Sequence, residues 1–123
     1  NFAVETFGDK WTLLVISDLM FKGKRHYSDF LASDEKISTN ILADRLQKLD
    51  DNGVITKSAD PANASKFIYS LTEKGQALLP AMVEMTAWSA QYDSLSNTPA
   101  EFLKSYNKDK DALIEMFKAQ QHG

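Results

Sequence analysis

At 123 residues the chain is the length of one domain and can close a modest core. A hydrophobic share of 43% with 25% charged residues excludes the disordered class, and the longest apolar block, "WTLLVI", falls far short of the ~20 residues that span a bilayer. There is no cysteine, so these residues can build no disulfide, thiolate nucleophile or cysteine metal site. The net charge of -3 divides into 10 basic and 11 acidic residues before Gly75 and 4 and 6 after it. Any affinity for nucleic acid must therefore come from local placement, and it should be salt-sensitive.

Residues from about Asp9 to Phe21 carry Trp11, Leu14, Val15, Asp18 and Leu19 at helical spacing, with Leu13, Ile16 and Met20 widening the apolar surface. This predicts a buried first helix. "FKGKRH" breaks the pattern at Gly23. "YSDFLAS" predicts a short second helix with Ser28 as N-cap, and Ser33 to Ile37 a connection. "STNILADRLQKLDDNGVI" predicts a third helix. Ser38 is its N-cap, Leu42, Leu46 and Leu49 its inner stripe, and Asn52-Gly53 its left-handed stop.

Val54 to Lys57 and Phe67 to Ser70 favour two strands, and "ADPANAS" between them is turn chemistry, so a β-hairpin with a loop of about seven residues is expected. Thr72 is a candidate N-cap for a long helix with the stripe Leu78, Met82, Met85, Trp88 and Tyr92, kinked at Pro80. "SLSNTP" interrupts it. Thr98, Pro99 and Glu101 then have the spacing of an N-cap, a first-turn proline and a capping-box glutamate. Phe102, Leu103 and Tyr106 share one side, and Leu113, Met116 and Phe117 form a further cluster; the pattern fits one helix or two. The domain division expected is 1–93, including the long helix, and 94–123, a C-terminal helical extension.

The ordered set of segments resembles the HxlR-type transcriptional regulators, relatives of the MarR group. The resemblance rests on Gly8, Lys10 and Trp11, on Arg45, Leu46 and Leu49, on Gly53 and Val54, on Tyr69, Leu71, Thr72 and Gly75, and on Leu78, Leu79 and Pro80. It covers roughly Phe7 to Trp88. It implies a mainly α fold with a small β-hairpin, a winged helix-turn-helix with N- and C-terminal dimerisation helices. It further implies a cytoplasmic, homodimeric regulator that binds a palindromic site in double-stranded DNA. Some relatives of this type sense oxidants through a cysteine whose position, counted back from Trp11, falls just before Asn1.

In such a fold the third helix, about 38–51, enters the major groove with its N-terminal residues nearest the bases. Thr39, Asn40, Ala43 and Asp44 are then the base-edge candidates: Asn pairs with adenine, Asp accepts from cytosine, and Ala meets a thymine methyl. Ser38, Gln47 and Lys48 become phosphate or flanking contacts. Arg45 either clamps a phosphate or pairs with Asp18 or another acid. Lys24 and Arg25 lie where the second helix approaches the backbone, and Asn63, Ser65 and Lys66 at the tip of the wing, about 57–67. The stripe Leu78, Met82, Met85, Trp88 and Tyr92, with Phe102, is the expected dimer interface. Trp11, Trp88, Phe2, Phe7, Met85 and Phe102 are candidates to line a pocket for a small-molecule effector, against the simpler reading that they fill the core. The two histidines, His26 and His122, have no nucleophile, phosphate loop or metal spacing around them, so no enzyme, metal or cofactor is expected. A winged helix used for protein contact is the competing reading.

Overall fold

A computed structural model of the chain describes residues 1–33, 35–93, 95–96 and 98–121. Ser94 and Asn97 of the predicted interruption, and His122, lie outside the described residues. The chain divides into two compact units, Asn1–Gln76 and Ala77–Gly123. This division falls ahead of the expected one at 93, because the helix after the wing packs with the C-terminal helices.

The first unit begins with α1 (Phe2–Phe7), which has no strong signature in the sequence. Next, α2 (Lys10–Phe21) is capped by Asp9, whose Oδ2 accepts from the Thr12 amide at 3.0 Å. Its wide apolar face explains its burial: Val15, Ile16, Leu19 and Met20 are each at most 1% exposed. The short α3 (Tyr27–Leu31) is capped two residues earlier than expected, with His26 and not Ser28 as N-cap. The Asp29 carboxylate, three residues on, accepts from the His26 amide at 3.2 Å, which a cap at Ser28, two positions later, could not arrange.

The third predicted helix is α4 (Thr39–Asp51), with Ser38 accepting from the Ile41 amide. Leu42, Leu46 and Leu49 are buried against α2 and its neighbours, each worth ~1.5–3 kcal/mol against exposure. The helix stops where Gly53 takes φ +73°. The Val54 amide then reaches the Leu49 carbonyl at 2.9 Å and the Gly53 amide the Asp50 carbonyl at 3.0 Å, the paired bonds of a Schellman turn.

That turn feeds β1 (Ile55–Asp60), which pairs antiparallel with β2 (Asn63–Leu71). The strands run further than expected, so the connection is Pro61-Ala62 and not seven residues. Pairing is regular from Ile55–Leu71 to Ala59–Phe67, then shifts so that Asp60 faces Asn63. Ala64, Ser65 and Lys66 are the extra residues of that irregularity, the polar turn chemistry being absorbed as a bulge. Thr72 accepts from the Gly75 amide at 3.1 Å and caps α5 (Glu73–Gln76). A Cβ on Gly75 would lie 2.2 Å from the Val54 carbonyl oxygen, so only glycine lets α5 sit against the entry to β1.

In the second unit α6 (Leu79–Tyr92) is separate from α5; Pro80 occupies its first turn and starts it, where the sequence suggested a kink in one long helix. Then α7 (Ala100–Lys108) and α8 (Lys110–Gln121) are two helices, parted at Asp109, whose Oδ1 accepts from the Ala112 amide at 3.1 Å. The expected capping box at Thr98 does not form: Pro99 is the N-cap, and the Thr98 hydroxyl pairs with that of Ser96 at 3.0 Å. Phe102 and Phe117 meet with ring centroids 6.0 Å apart, beside buried Leu113 and Ile114. Met116 is turned outward.

Candidate nucleic-acid interface

The leucine stripe of α4 points inward, which leaves Thr39, Asn40, Ala43, Asp44, Gln47 and Lys48 exposed on one side. Ser38, also exposed, spends its hydroxyl on the helix cap. Tyr27 of α3 donates its hydroxyl to the Thr39 carbonyl at 2.8 Å, fixing the start of α4 against the preceding helix. Across from α4 stands the hairpin. Together α3, α4 and the strands bound an open cleft of about 610 Å³, with Ala43 and Gln47 on the helix wall and Lys57, Lys66 and Phe67 on the hairpin wall. Lys57 lies 4.2 Å from the Phe67 ring, a cation–π contact that keeps its charge on the face of the hairpin. Asn63 accepts from the Ser65 hydroxyl at 2.6 Å and its amide at 3.1 Å, shaping the bulge.

Electrostatics on this face are local. Asp44 accepts from Arg45 at 2.5 Å and from Lys48 at 3.3 Å, and these two cations hold its carboxyl below the usual range. Its charge is thus neutralised where it stands, which removes much of the repulsion a bare carboxylate would exert on phosphates. Gln47 donates to Asp51 at 2.9 Å along the helix.

Lys24 and Arg25, expected at the backbone, and Arg45, expected at a phosphate or on an acid, all have partners within the chain. The Arg45 Nε donates to Asp9 Oδ2 at 2.7 Å, so its acid partner is the α2 cap and not Asp18. That hydrogen bond, against the opposing effect of burial, holds the Asp9 carboxyl down at about 2. Lys24 lies 3.1 Å from Asp18 and its side chain is only 18% exposed. Burial pushes the Asp18 carboxyl up despite Lys24 and Lys22. Arg25 donates to the Leu19 and Lys24 carbonyls, each at 3.0 Å, closing the loop after α2. Asp9 gave only a weak signal in sequence, an acidic residue at a helix start; its link to Arg45, 36 positions away, has none.

In the second unit the predicted stripe divides. Met82 is buried and Leu78 half-buried, while Met85, Trp88 and Tyr92 are 46%, 66% and 69% exposed. The Trp88 and Tyr92 rings lie 5.6 Å apart. Phe102 is covered by Phe117 in its own chain and is not offered outward. Of the six residues weighed as a pocket lining, Phe2, Phe7 and Trp11 belong to the first unit and Met85, Trp88 and Phe102 to the second.

A capped helix with one dry and one wet side, set behind a short helix and followed by an exposed hairpin, defines a winged helix-turn-helix protein. The HxlR-like helix-turn-helix family model matches residues 6–97, and the chain belongs to that family of transcriptional regulators. It is 34% identical over 99 residues to the HTH-type transcriptional regulator YodB of Bacillus subtilis, spanning 80% of this chain and 88% of YodB. Among solved structures, the reduced form of YodB matches with a TM-score of 0.60 at 31% identity, over 77% of this chain and 92% of that one. The redox regulator HypR in its oxidised form matches with a TM-score of 0.67 at 25% identity, over 76% and 96%. Among the described residues no helix is long and apolar enough to cross a membrane.

Proposed function

We propose that the chain binds a palindromic operator as a homodimer, with α4 in the major groove and the β1–β2 wing against the flanking groove or phosphates. The observation that carries this reading is the exposed face of α4, whose Ala43 and Gln47 share one cleft with Lys57 and Lys66 of the wing. Asn40 and Thr39 are the base readers; Lys48 and Lys66 are the backbone contacts. Arg45, Lys24 and Arg25 hold the helices in place instead.

The exposed Met85, Trp88 and Tyr92 patch supports the dimer, since clustered apolar side chains in water mark association surfaces. Two-fold pairing would set the recognition helices roughly 34–36 Å apart, one turn of DNA, and would double the phosphate contacts of a chain whose net charge is -3. YodB has been solved in a reduced form and the redox regulator HypR in an oxidised form. This chain holds no cysteine in its 123 residues, so a signal acting within them would be a bound small molecule or another non-thiol input.

Footprinting on DNA from beside the encoding gene tests the reading, together with sedimentation of free protein. The expected result is two protected half-sites one turn apart and a dimer that Trp88→Glu dissociates. A single protected half-site bound by a monomer would reject the dimeric model.

A further inference from the structure

From Thr56 to Phe67 every residue of the wing is exposed except Asp60. Asp60 lies at the outer end of β1, yet its side chain is only 13% exposed, because it is covered by His26. The His26 Nε2 and Asp60 Oδ2 are 2.8 Å apart, and the other carboxylate oxygen of Asp60 accepts from the Ala62 amide at 2.9 Å. One carboxylate thus shapes the tip turn and ties it to the helix-turn-helix. On its other side His26 faces a second acid, Asp29, with Nδ1 3.5 Å from Oδ2. The inner part of the wing has its own anchors, the Tyr69 amide on the Arg25 carbonyl at 2.8 Å and the edge-on Phe30–Tyr69 rings. Beyond Phe67 and Ala59 the regular ladder ends, so the outer part lacks that support.

We propose that His26 is a positioning residue for the DNA-binding face: it latches the wing tip through Asp60 and so sets where Lys66 and the bulge stand relative to α4. His26 is the N-cap of α3, whose next residue, Tyr27, holds the start of α4. The latch therefore references the wing to the same point of the chain that references the recognition helix. Without it the wing pivots on Tyr69, and the cations on the hairpin wall lose their fixed distance from the base-reading residues. The functional half of this proposal rests on the DNA-binding reading above; the structural half does not.

The test uses the full chain with His26→Ala, Asp60→Asn and His26→Gln, the last keeping an amide donor near the place of Nε2. Backbone 15N order parameters of free protein report the latch. Residues 62–66 should fall from the rigid range near ~0.85 toward ~0.6 or below in His26→Ala, with α4 unchanged, and recover in His26→Gln. Unchanged order at the tip in His26→Ala overturns the latch, whatever the DNA data show. Footprinting then reports positioning. His26→Ala should lose protection at the flanks and bind roughly three- to tenfold more weakly, with central base preference retained. A mobile tip with wild-type flank protection overturns the positioning role. If the wild-type protein shows no preference for any DNA, the operator reading fails, while the order parameters still decide the latch.

Discussion

Asp9→Asn isolates the charge on the link between α2 and α4. Asparagine caps a helix as well as aspartate does, so the bond to the Thr12 amide survives while the ion pair with Arg45 is lost. The Asp9 carboxyl sits at about 2 against an ordinary 3.8, a gap worth roughly 2.4 kcal/mol at ~1.36 kcal/mol per pH unit. The Asp9 side chain is 37% exposed, and solvent screening brings the expected loss down to about 1 kcal/mol. A folded-state value below the unfolded one stabilises above pH 3.8, and the effect fades as pH falls toward 2. Thermal unfolding at one fixed protein concentration should show the variant melting roughly 4 °C lower at pH 7. About half of that gap should be gone at pH 3. Equal stability at pH 7, or a gap of the same size at pH 3, would refute the ion-pair reasoning.

The proposed base-reading and backbone roles separate by mutation. Asn40→Ala should reduce discrimination between operator variants by ~1–3 kcal/mol and barely change non-specific binding, read by competition anisotropy. Lys66→Ala should weaken binding to all sequences alike and lower the salt slope by about 1, measured as affinity against salt concentration. Arg45→Ala should lower the melting temperature yet leave the rank order of operator variants intact when assayed below that temperature. Gly75→Ala places a methyl 2.2 Å from the Val54 carbonyl, so urea denaturation should show a loss of roughly 2–4 kcal/mol.

Helix α4 was legible because its signals are local. The Ser38 cap, the leucine stripe and the Gly53 stop each act within one or two turns, and all three stand in the structure as spacing predicts. The wing's strand tendency was equally plain, but its tip was not: polar turn residues fit a loop or a bulge, and the pairing partner decides which. Pro80 misled for a related reason. A proline inside a long apolar stripe reads as a kink, whereas a break two residues earlier lets the same proline begin a new helix. The candidate site divides along the same line. Exposure of Thr39, Asn40 and Ala43 follows from helical period. Removal of Lys24, Arg25 and Arg45 from that face follows from Asp18, carbonyls of the loop after α2, and Asp9, which only the tertiary fold brings near. Asp44, a poor neighbour for phosphate when read alone, is bracketed by Arg45 and Lys48 and loses much of that objection.

The most direct test of DNA reading by α4 is binding of the purified protein to a duplex from beside its own gene and to a shuffled duplex, each titrated with salt. The expected result is nanomolar-range binding to the first, a preference of about a thousandfold or more over the second near physiological salt, and a steep linear fall of log affinity with log salt. Equal affinity for the two duplexes at every salt concentration would contradict it and leave the winged helix as a surface for protein contact.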